Sequence, residues 1–454
     1  MLEKSIFAGA CFLLFLVPWP LASNRPWIWF AETIFIFLLI ALFQGTTRAR
    51  SSMNKPLGGR ALFALGVLLI WSLFPLLQII PLPSLLLEKL APWGFYQRET
   101  LFPGLWAPIS LDPHATWAWV VQHLSYAGFF ALVLVLVRDQ QRLYILLGIM
   151  FMSGLLQAIY GLWVYFSGSN LILFMDKWSS LDSVSGSFVN RNHFATFILL
   201  TLPIGVSFIF KGMYHINEFR FLSSARRVDR FRIYSILVLL GVMLLALVGS
   251  NSRGGIVCFV IVAIIMLCFL IIRRGLKTLP VWPILLTGGA LGGALFSSMG
   301  EELLRRFKQE PGKILDRLYI YQDSWHLFTQ QPLTGIGAGS FESTFPAANT
   351  YFVSGHYTHV HNDHLEMLLE TGVIGYSLFL LFLIWCWLTL WNDFKQHNPI
   401  ALLGVLFSLM AATFGMMIHS AMDFPMAIPA NKLYFFTLLA IGLRAKTLFN
   451  PDSS

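Results

Sequence analysis

Apolar residues occur in long blocks along the whole chain, and short polar stretches separate these blocks. Because a helix needs about 20 apolar residues to cross the hydrocarbon core of a bilayer, we interpret each block as one membrane span. The predicted spans are residues 5–22, 27–44, 61–80, 115–137, 142–166, 193–210, 232–249, 255–272, 280–297, 365–390, 399–418 and 432–447. The pattern therefore predicts an all-α polytopic membrane protein with about twelve transmembrane helices.

The spacing of the predicted spans divides the chain into four segments. Residues 1–166 hold the N-terminal transmembrane helices, and residues 167–297 hold core transmembrane helices with two arginine motifs between them. Residues 298–364 form one long loop, and residues 365–454 hold the C-terminal transmembrane helices. A connector of this length is uncommon without a function of its own, so we expect the loop to take part in the activity.

Two stretches of the long loop have apolar residues at helical spacing. They predict amphipathic helices over residues 301–309 and 313–329, which could lie on the membrane surface or cap the bundle. The apolar stripe of the second helix is formed by Ile314, Leu318, Tyr321 and Trp325.

Composition supports the membrane assignment. The chain is 57% hydrophobic and only 12% charged, whereas soluble domains carry about 25% charged residues. Lys and Arg outnumber Asp and Glu by 31 to 22, but most of the basic residues fall in alternate loops. Basic residues collect in cytoplasmic loops. The positive charge is therefore a topology signal that places both termini in the cytoplasm, and it does not indicate a nucleic-acid partner.

The polar motifs lie in the loops that this topology places outside. They are GSFVNRNHF at 186–194, GSNSRGG at 249–255, DRLYIYQDSW at 316–325, HYTHVHNDH at 356–364 and HSAMDFP at 419–425. The predicted cytoplasmic loops hold basic residues, polar filler and a few acids. We therefore expect any chemistry to take place at the outer face of the membrane.

Two arginines stand at the edges of predicted spans, where a guanidinium is costly unless it is paired or lines a wet cavity. Arg191 lies between Asn190 and Asn192-His193, four consecutive hydrogen-bonding residues at a helix start. Arg253 precedes two glycines, which allow a backbone to come close to a ligand. A helix that begins there points its amide groups at an anion. The alternative is that each arginine only reaches toward lipid headgroups.

The histidine cluster has three possible uses. His359, His361 and His364 have spacings that could ligate a transition metal. His361 and Asn362 also lie where a predicted span begins, and a partly shielded imidazole there suits a general base. The third possibility is interfacial packing without a chemical role. Of these, base or acceptor positioning is the use that we favour.

Together these motifs resemble the O-antigen ligase and O-antigen polymerase superfamily of bacterial envelope glycosyltransferases. His361-Asn362 is followed after nine residues by Gly372-Val373-Ile374-Gly375, which is similar to the family's His-Asn and Gly-x-x-Gly pattern. Arg253 within Ser-Arg-Gly-Gly and Arg317 in the long loop complete the order Arg, Arg, His. The resemblance extends from about residue 186 to residue 430.

The resemblance implies an enzyme that moves a glycan from undecaprenyl diphosphate to an acceptor hydroxyl. It implies a GT-C-like membrane bundle with a periplasmic loop of helices over the site. Carried over by motif, Arg253 and Arg317 would bind the diphosphate, and His361 would act on the acceptor. It further implies an enzyme of the bacterial inner (cytoplasmic) membrane with a periplasmic active site, acting without a divalent metal or other cofactor.

The chemistry of the residues agrees with that implication. Breaking a bond between sugar and diphosphate builds negative charge on the leaving oxygen, and arginine forks match phosphate oxygens in two-point contacts. Arg191 is a third candidate phosphate ligand. We expect His361 to take the acceptor proton, with Asn362 and Asp363 orienting it. The further candidate substrate-binding residues are Asn190, His193 and Asp423, the last of which could bind sugar or pair with an arginine.

The competing interpretation is a multi-span transporter of polysaccharide or lipid-linked sugar. Transporters place ionisable sites near the bilayer midplane, often in repeated halves. The predicted spans contain almost no charge at their centres and show no internal repeat, which disfavours that class. Within the superfamily, the acceptor stays open between lipid A-core oligosaccharide, a lipid-linked repeat and a protein.

Overall fold

The computed structural model describes residues 2–46, 57–99, 103–213, 227–274, 311–351, 356–396 and 398–449. The only sheet within these ranges is an antiparallel hairpin of two short strands, β1 (Leu171–Ile172) and β2 (Met175–Asp176). Every other regular element that the structure describes is helical. The prediction of an all-α membrane protein is therefore confirmed.

The described residues of the chain up to Phe166 contain eight α-helices. They are α1 (Leu2–Leu16), α2 (Pro26–Gln44), α3 (Gly59–Leu73), α4 (Leu76–Ile79), α5 (Ser84–Leu90), α6 (Pro92–Glu99), α7 (Pro113–Leu136) and α8 (Gln140–Phe166). Eight more follow within the described residues. They are α9 (Arg191–Met213), α10 (Arg227–Gly249), α11 (Arg253–Arg274), α12 (Pro311–Gln330), α13 (Phe341–Ala348), α14 (Asp363–Lys395), α15 (Ile400–Ser420) and α16 (Pro429–Phe449).

Eight helical stretches of the described chain are long and apolar enough to cross a membrane. They are Pro26–Gln44, Gly59–Ile79, Pro113–Leu136, Gln140–Phe166, Arg191–Gly212, Phe231–Gly249, Asp363–Lys395 and Ile400–Ser420. Each coincides with a predicted span, so the chain is a multi-pass membrane protein.

Four predicted spans fall outside that group of eight. Helices α1, α11 and α16 occupy three of them, but α1 has only 15 residues and the apolar part of α11, Arg253–Cys268, is also short. Helix α16 carries the basic residues Lys432, Arg444 and Lys446. The remaining predicted span, 280–297, lies outside the described residues, so the number twelve stays a prediction.

Polar side chains set the first residue of several long helices. Asp112 accepts a hydrogen bond from the Ala115 backbone at 3.0 Å before α7, and Asp139 accepts one from the Arg142 backbone at 2.8 Å before α8. An oxygen at the N-cap satisfies an amide that has no partner inside the helix. Pro113 at the first position of α7 adds a backbone angle that suits a helix start.

The centre of the bundle is formed by α15 and α16, whose side chains are buried along almost their whole length. Helix α9 packs closely against α15. Helices at the periphery instead expose large apolar side chains, for example Phe12 of α1, Phe30 of α2 and Ile70 of α3. This distribution is what a lipid environment requires, because lipid-facing helices gain nothing from polar outer surfaces.

Charged pairs gather at one end of the bundle, which we call the paired-charge end. Glu3 of α1 contacts Arg142 at 2.8 Å, while Asp393 of α14 contacts Arg60 at 2.8 Å and Lys446 at 3.4 Å. Helices α9, α11 and α14 begin at the other end, and we call that the site end. Most basic side chains with described carboxylate partners thus lie away from the polar motifs.

A group of ionisable side chains is buried inside the bundle, between α2, α7 and α16. Lys432 donates to His123 Nε2 at 3.0 Å, and its ammonium lies 5.6 Å from the centre of the Tyr126 ring. Glu32 is also buried, and neither of its carboxylate oxygens makes a hydrogen bond within the described part of the chain. Lys432 is the first residue of its predicted span, so the expectation that the spans contain almost no charge at their centres stays a prediction.

The segment between α4 and α7 packs against the long loop at the site end. Gln78 of α4 donates to the carbonyls of Thr334 at 2.6 Å and Glu370 at 2.9 Å, and its own oxygen accepts from the Ala338 backbone at 3.1 Å. Leu111 adds a backbone bond to the same loop. The glycine-rich stretch of the loop is therefore a packed structural element.

Helix α12 confirms the predicted loop helix over 313–329, whereas the predicted helix over 301–309 lies outside the described residues. The predicted apolar stripe is wrong in part, because Leu318 and Trp325 are about half exposed. The buried face is formed by Ile320, Leu327 and Phe328, which pack beside α13 and α14. The sequence of α12 carries apolar residues on two faces, and tertiary packing selects one of them.

Helix α14 contains a break at Gly372, which has φ +65°. A Cβ atom at this position would lie 2.2 Å from the carbonyl oxygen of Leu333, so only glycine fits. The backbone amide of Val373 donates to Pro332 O at 2.8 Å. The first glycine of the Gly-x-x-Gly motif therefore lets the loop insert into the side of the helix.

Candidate active site

Asp423 is the centre of the polar cluster at the site end. It lies in the short connection between α15 and α16 and is almost fully buried. One carboxylate oxygen accepts from the Phe424 backbone at 2.9 Å and from His361 Nδ1 at 3.3 Å. The other accepts a short hydrogen bond from the Asn192 amide. His193 Nε2 lies 4.0 Å from the carboxylate.

These contacts keep Asp423 ionised. Burial by itself raises the pKa of a carboxyl group, because it disfavours the charged form. The hydrogen bond from His361, the neighbouring imidazole of His193 and the positive charge of Arg317 lower it by more, so the pKa of Asp423 lies well below its usual range. The site therefore contains a fixed negative charge in a buried position.

The bond to Asp423 determines how His361 is protonated. A carboxylate can only accept, so Nδ1 carries the hydrogen and Nε2 of the neutral ring has a free electron pair. The residue adopts φ +62°, which is uncommon for a side chain other than glycine. Its carbonyl accepts from the Tyr321 hydroxyl at 2.7 Å. A strained backbone held by a neighbouring helix is typical of a functional position.

Helix α12 brings Arg317 to the same place. Its Nη1 donates to the carbonyl of Met422 at 3.3 Å, directly before Asp423. Tyr321, one helical turn later, makes the contact with His361. Arg317 is half-buried, so its charge is partly shielded from water. Arg317, His361 and Asp423, which are far apart in the sequence, are thus brought together.

Arg191 and Arg253 are the first residues of α9 and α11, and both are half-buried. Arg191 directly precedes Asn192, which binds Asp423. Arg253 directly precedes Gly254, where an added Cβ would lie 2.8 Å from His419 Nε2. The His419 carbonyl in turn accepts from the Asp423 amide at 3.0 Å. Both arginines therefore begin helices that pack around the loop of Asp423.

Two predicted ligands use their side-chain oxygens inside the protein. Asn190 accepts from the Asn192 backbone at 2.8 Å, and Asn362 caps α14 by accepting from the Leu365 backbone at 3.1 Å. Asp363 accepts from Ser420 and from the Met426 backbone, each at 2.8 Å. The expectation that Asn362 and Asp363 orient His361 is therefore wrong, and Asp423 holds that position. A role of Asn190 or Asn362 in substrate binding stays a prediction.

The four histidines of the cluster have separate partners. The pairs are His356 with Glu342 at 2.8 Å, His359 with Glu366 at 2.7 Å, His361 with Asp423 at 3.3 Å, and His364 with the Met417 carbonyl at 3.0 Å and the Tyr376 hydroxyl at 3.1 Å. Among the described residues, no group of three or more His, Cys, Asp or Glu side chains is arranged to hold a metal ion. The spacing that suggested metal ligands instead distributes the rings to different carboxylates and helices.

A groove with a volume of about 340 Å³ opens beside the histidine cluster. Its lining residues are Phe345, Pro346, Asn349, His356 and Tyr357. The Tyr357 ring is 6.0 Å from the ring of His361. The groove therefore offers aromatic and polar groups next to the candidate base.

Sequence reasoning missed several residues of the site. Tyr321 belongs to the predicted apolar stripe, and Asn192 is predicted only as one of the four hydrogen-bonding residues around Arg191. Phe424 and His419 are not predicted as site residues, although they lie inside the quoted motif HSAMDFP. His419 Nδ1 and the Thr196 hydroxyl share a hydrogen bond of 2.6 Å. The sequence signal for such a residue is its polar side chain inside a polar motif. Which atom the side chain contacts depends on the fold.

A comparison with protein-family models matches residues 236–380 to the family described as O-Antigen ligase. The matched segment contains Arg253, Arg317, His361 and the Gly372–Gly375 motif, whereas Arg191 and Asp423 lie outside it. A search of curated proteins gives no match to the chain. The match supports glycosyltransferase activity of the O-antigen ligase or polymerase type in general terms. The resemblance of this chain to the O-antigen ligase superfamily is therefore confirmed through residues 236–380.

Proposed function

We propose that this protein transfers a glycan from undecaprenyl diphosphate to an acceptor hydroxyl at the periplasmic face of the bacterial inner membrane. The proposal includes a GT-C-like bundle of about twelve spans, with α12 and α13 covering the site. The acceptor is a saccharide, either lipid A-core oligosaccharide or another lipid-linked repeat. The observation that carries the proposal is the contact of His361 with buried Asp423, directly beside Arg317.

The donor diphosphate would bind between the arginines. Arg317 reaches the site from α12, while Arg191 and Arg253 stand at the first residues of α9 and α11. The start of a helix carries partial positive charge and unpaired amide groups, which favour an anion. Arginine keeps its charge at any physiological pH and pairs with phosphate in a planar, two-point geometry. The negative charge that develops on the leaving oxygen would therefore be stabilised in a partly dry pocket.

The acceptor hydroxyl would approach His361 from the side of Nε2. As its oxygen attacks the anomeric carbon, its proton passes to Nε2, and the bond from that carbon to the phosphate oxygen breaks. Asp423 would hold the ring in position and stabilise the imidazolium that forms. The groove beside Tyr357 has room for a sugar of the acceptor. His193 would support Asp423, because its Nε2 faces the carboxylate at 4.0 Å and makes no hydrogen bond within the described residues.

Many transferases use a divalent metal to stabilise the negative charge of the diphosphate. We propose that the arginines take over this role here. Their number and position at the start of two helices and on α12 support this. A chelator should then leave the transfer rate unchanged in a purified preparation. Loss of activity with the chelator, restored by one added metal ion, would contradict this part of the proposal.

The direct test is a transfer assay with the purified protein in lipid vesicles, using an undecaprenyl-diphosphate glycan and a saccharide acceptor. Arg253→Ala, Arg317→Ala and His361→Ala should each lose most activity, and removal of a general base costs roughly 10²–10⁴-fold. Arg60→Ala and His326→Ala are matched controls, because Arg60 lies at the paired-charge end and His326 is exposed on α12, where it contacts Gln330. Near-normal transfer by the first three variants would overturn the assignment.

A transporter remains the second candidate, because Glu32, His123 and Lys432 are ionisable groups inside the bundle, where transporters often place coupling sites. The two functions differ in their products. A transporter moves the lipid-linked sugar between leaflets and leaves its diphosphate bond intact, whereas the transferase releases undecaprenyl diphosphate. Release of undecaprenyl diphosphate that depends on both acceptor and protein favours the transferase.

Deletion of the gene separates the two acceptors. Loss of long chains from lipid A-core, with lipid-linked polymer retained, indicates a ligase. Accumulation of single repeats indicates a polymerase.

A further inference from the structure

His359 is the second histidine of the cluster that is held by a largely shielded carboxylate. Its Nδ1 lies 2.7 Å from one oxygen of Glu366, and the other oxygen accepts from the Val360 backbone at 2.8 Å. The carboxylate accepts, so Nδ1 of His359 donates and Nε2 lies at the opposite edge of the ring. The side chain retains 29% of its surface accessible, which leaves the ring open to a ligand.

The ring of His359 lies in the same pocket as the candidate base. It stacks on Phe424 with ring centres 4.4 Å apart and an angle of 24° between the planes. His361 meets the same ring at 4.7 Å and His193 meets it at 4.5 Å, both edge to face. Three imidazoles therefore surround Phe424, the residue directly after Asp423.

The two histidine–carboxylate pairs differ in how the negative charge is shared. Asp423 also accepts hydrogen bonds from Asn192 and the Phe424 backbone, so its charge is divided among several donors. Glu366 binds only His359 and the backbone beside it in the contacts that the structure describes. Its charge therefore acts on the imidazole of His359, and it also acts on Lys432 of α16.

The charge of Glu366 favours the protonated form of His359. Burial by itself lowers the pKa of the ring. The charge and hydrogen bond of Glu366, with Asp363 and Glu370 further along α14, raise it by more, so the pKa of His359 lies above its ordinary value. When two titratable groups in one active site have different pKa values, one commonly acts as the acid and the other as the base.

We propose that His359 binds the diphosphate of the donor as an imidazolium, through a hydrogen bond from Nε2. This inference rests on the proposed transferase function and adds a cationic ligand beside the arginines. When the bond between sugar and phosphate breaks, its electron pair moves to the phosphate oxygen, and the His359 imidazolium donates its hydrogen bond there. The acceptor proton goes to His361, so His359 keeps its own proton throughout the step.

The experiment measures binding of undecaprenyl diphosphate to the purified protein in detergent, together with transfer rates. His359→Gln retains an amide that can donate to Glu366 but removes the positive charge. We expect at least a 10-fold weaker affinity for undecaprenyl diphosphate and a transfer rate lowered roughly 10²–10³-fold, the cost of losing one donor to a developing oxyanion. His326→Gln, which changes an exposed histidine of α12 that contacts Gln330, should alter neither.

The arginine variants separate failure of this inference from failure of the proposed function. If Arg253→Ala and Arg317→Ala lose affinity while His359→Gln binds normally, only the role of His359 is wrong. If none of these variants changes the affinity for undecaprenyl diphosphate, the proposed donor site is wrong as well. His361→Ala should keep its affinity, because that residue acts on the acceptor.

A pH profile provides a readout that a packing role would not change. The groups that face His359 are Glu366, Asp363 and Glu370 of α14, His193 of α9, and His361 and Asp423 beside Phe424. Affinity for undecaprenyl diphosphate should fall as pH rises through the raised pKa of His359, because the imidazolium is lost. Glu366→Gln removes the charge that raises this pKa and should move the fall to lower pH. An unchanged pH profile of affinity in Glu366→Gln would overturn the proposal. This test does not depend on His359→Gln, so it still applies if His359→Gln fails to fold.

Discussion

His361 and Asp423 show how a single contact assigns a chemical role to a histidine. Four histidines of one short stretch have four different partners, and only His361 joins a buried carboxylate that is held by several other donors. The positive φ of His361 and its carbonyl bond to Tyr321 fix the ring over that carboxylate. The sequence contains the residues, whereas the tautomer depends on the fold.

Asp423→Asn tests this contact. The amide can donate to His361 as well as accept, so it allows the wrong tautomer and removes the charge that stabilises the imidazolium. We expect the turnover of glycan transfer to fall by roughly 10²–10⁴-fold, with the affinity for undecaprenyl diphosphate changed much less. Asp393→Asn is the matched control, because Asp393 is equally buried but lies at the paired-charge end. Equal losses in both variants would indicate a general loss of folding.

At the residue scale, the sequence predicted the right neighbourhood and some wrong partners. The sequence predicts Arg317 on a helix of the long loop and His361 and Asp423 in polar motifs beside predicted spans, and these three residues do meet. Asn362 and Asp363 were assigned to orient His361 because they adjoin it in sequence. Adjacent residues at a helix start point in different directions, so Asn362 caps the helix and Asp363 binds the loop of Met426. Long-range partners such as Tyr321 leave no local pattern.

Among the elements, the break in α14 explains the Gly-x-x-Gly motif. Gly372 lies at φ +65°, and the carbonyl of Leu333 approaches its Cα too closely for any side chain. Gly375, the second glycine, packs against Thr371 and Phe74. The motif therefore joins the long loop to a membrane helix directly below the site.

Gly372→Ala should be strongly destabilising. It places a Cβ against the Leu333 carbonyl and forces alanine into a backbone region that is almost exclusive to glycine, which costs roughly 1–3 kcal/mol from the backbone alone. Gly66→Ala in α3 is the control, because no atom lies within 4 Å of the added Cβ. That change should be neutral or raise the free energy of unfolding by about 0.5–1 kcal/mol. Thermal unfolding in detergent measures both, and equal midpoints would contradict the explanation.

Hydrophobic periodicity predicted the elements well, because each membrane helix needs a long apolar block. Its boundaries agree within a few residues for the eight apolar helices that the described part of the chain contains. Periodicity failed for α12, where apolar residues occur on two faces and contacts with α13 and α14 decide which is buried. The division of the chain into four segments stays a prediction.

At the scale of the whole molecule, the composition of the chain does not reveal the buried group of Glu32, His123 and Lys432. Three isolated residues in apolar spans do not change the average, and their proximity arises only when α2, α7 and α16 pack together. His123 donates from Nδ1 to the Trp119 carbonyl, so its Nε2 accepts from Lys432. Lys432 is then the cation available to compensate Glu32.

Lys432→Met should lower the thermal midpoint, because it leaves the carboxylate of Glu32 without a compensating charge. The change also leaves His123 Nε2 without its donor, and an unsatisfied buried polar group costs about 1–3 kcal/mol. Combining it with Glu32→Gln removes the charge and should recover part of the loss. The measurement is a double-mutant comparison of unfolding midpoints. Strictly additive effects would show that Glu32 and Lys432 do not interact.

The attachment of α12 at its middle and at its C-terminal end has a consequence for substrate entry. Tyr321 fastens the helix to the backbone of His361, and the residues that follow the helix are inserted into α14 beside Gly372. Helix α12 cannot lift away by itself, since any displacement would pull the base-bearing segment with it. We therefore expect a bulky lipid carrier to reach the arginines sideways, from the plane of the bilayer, while the glycan extends into the aqueous phase.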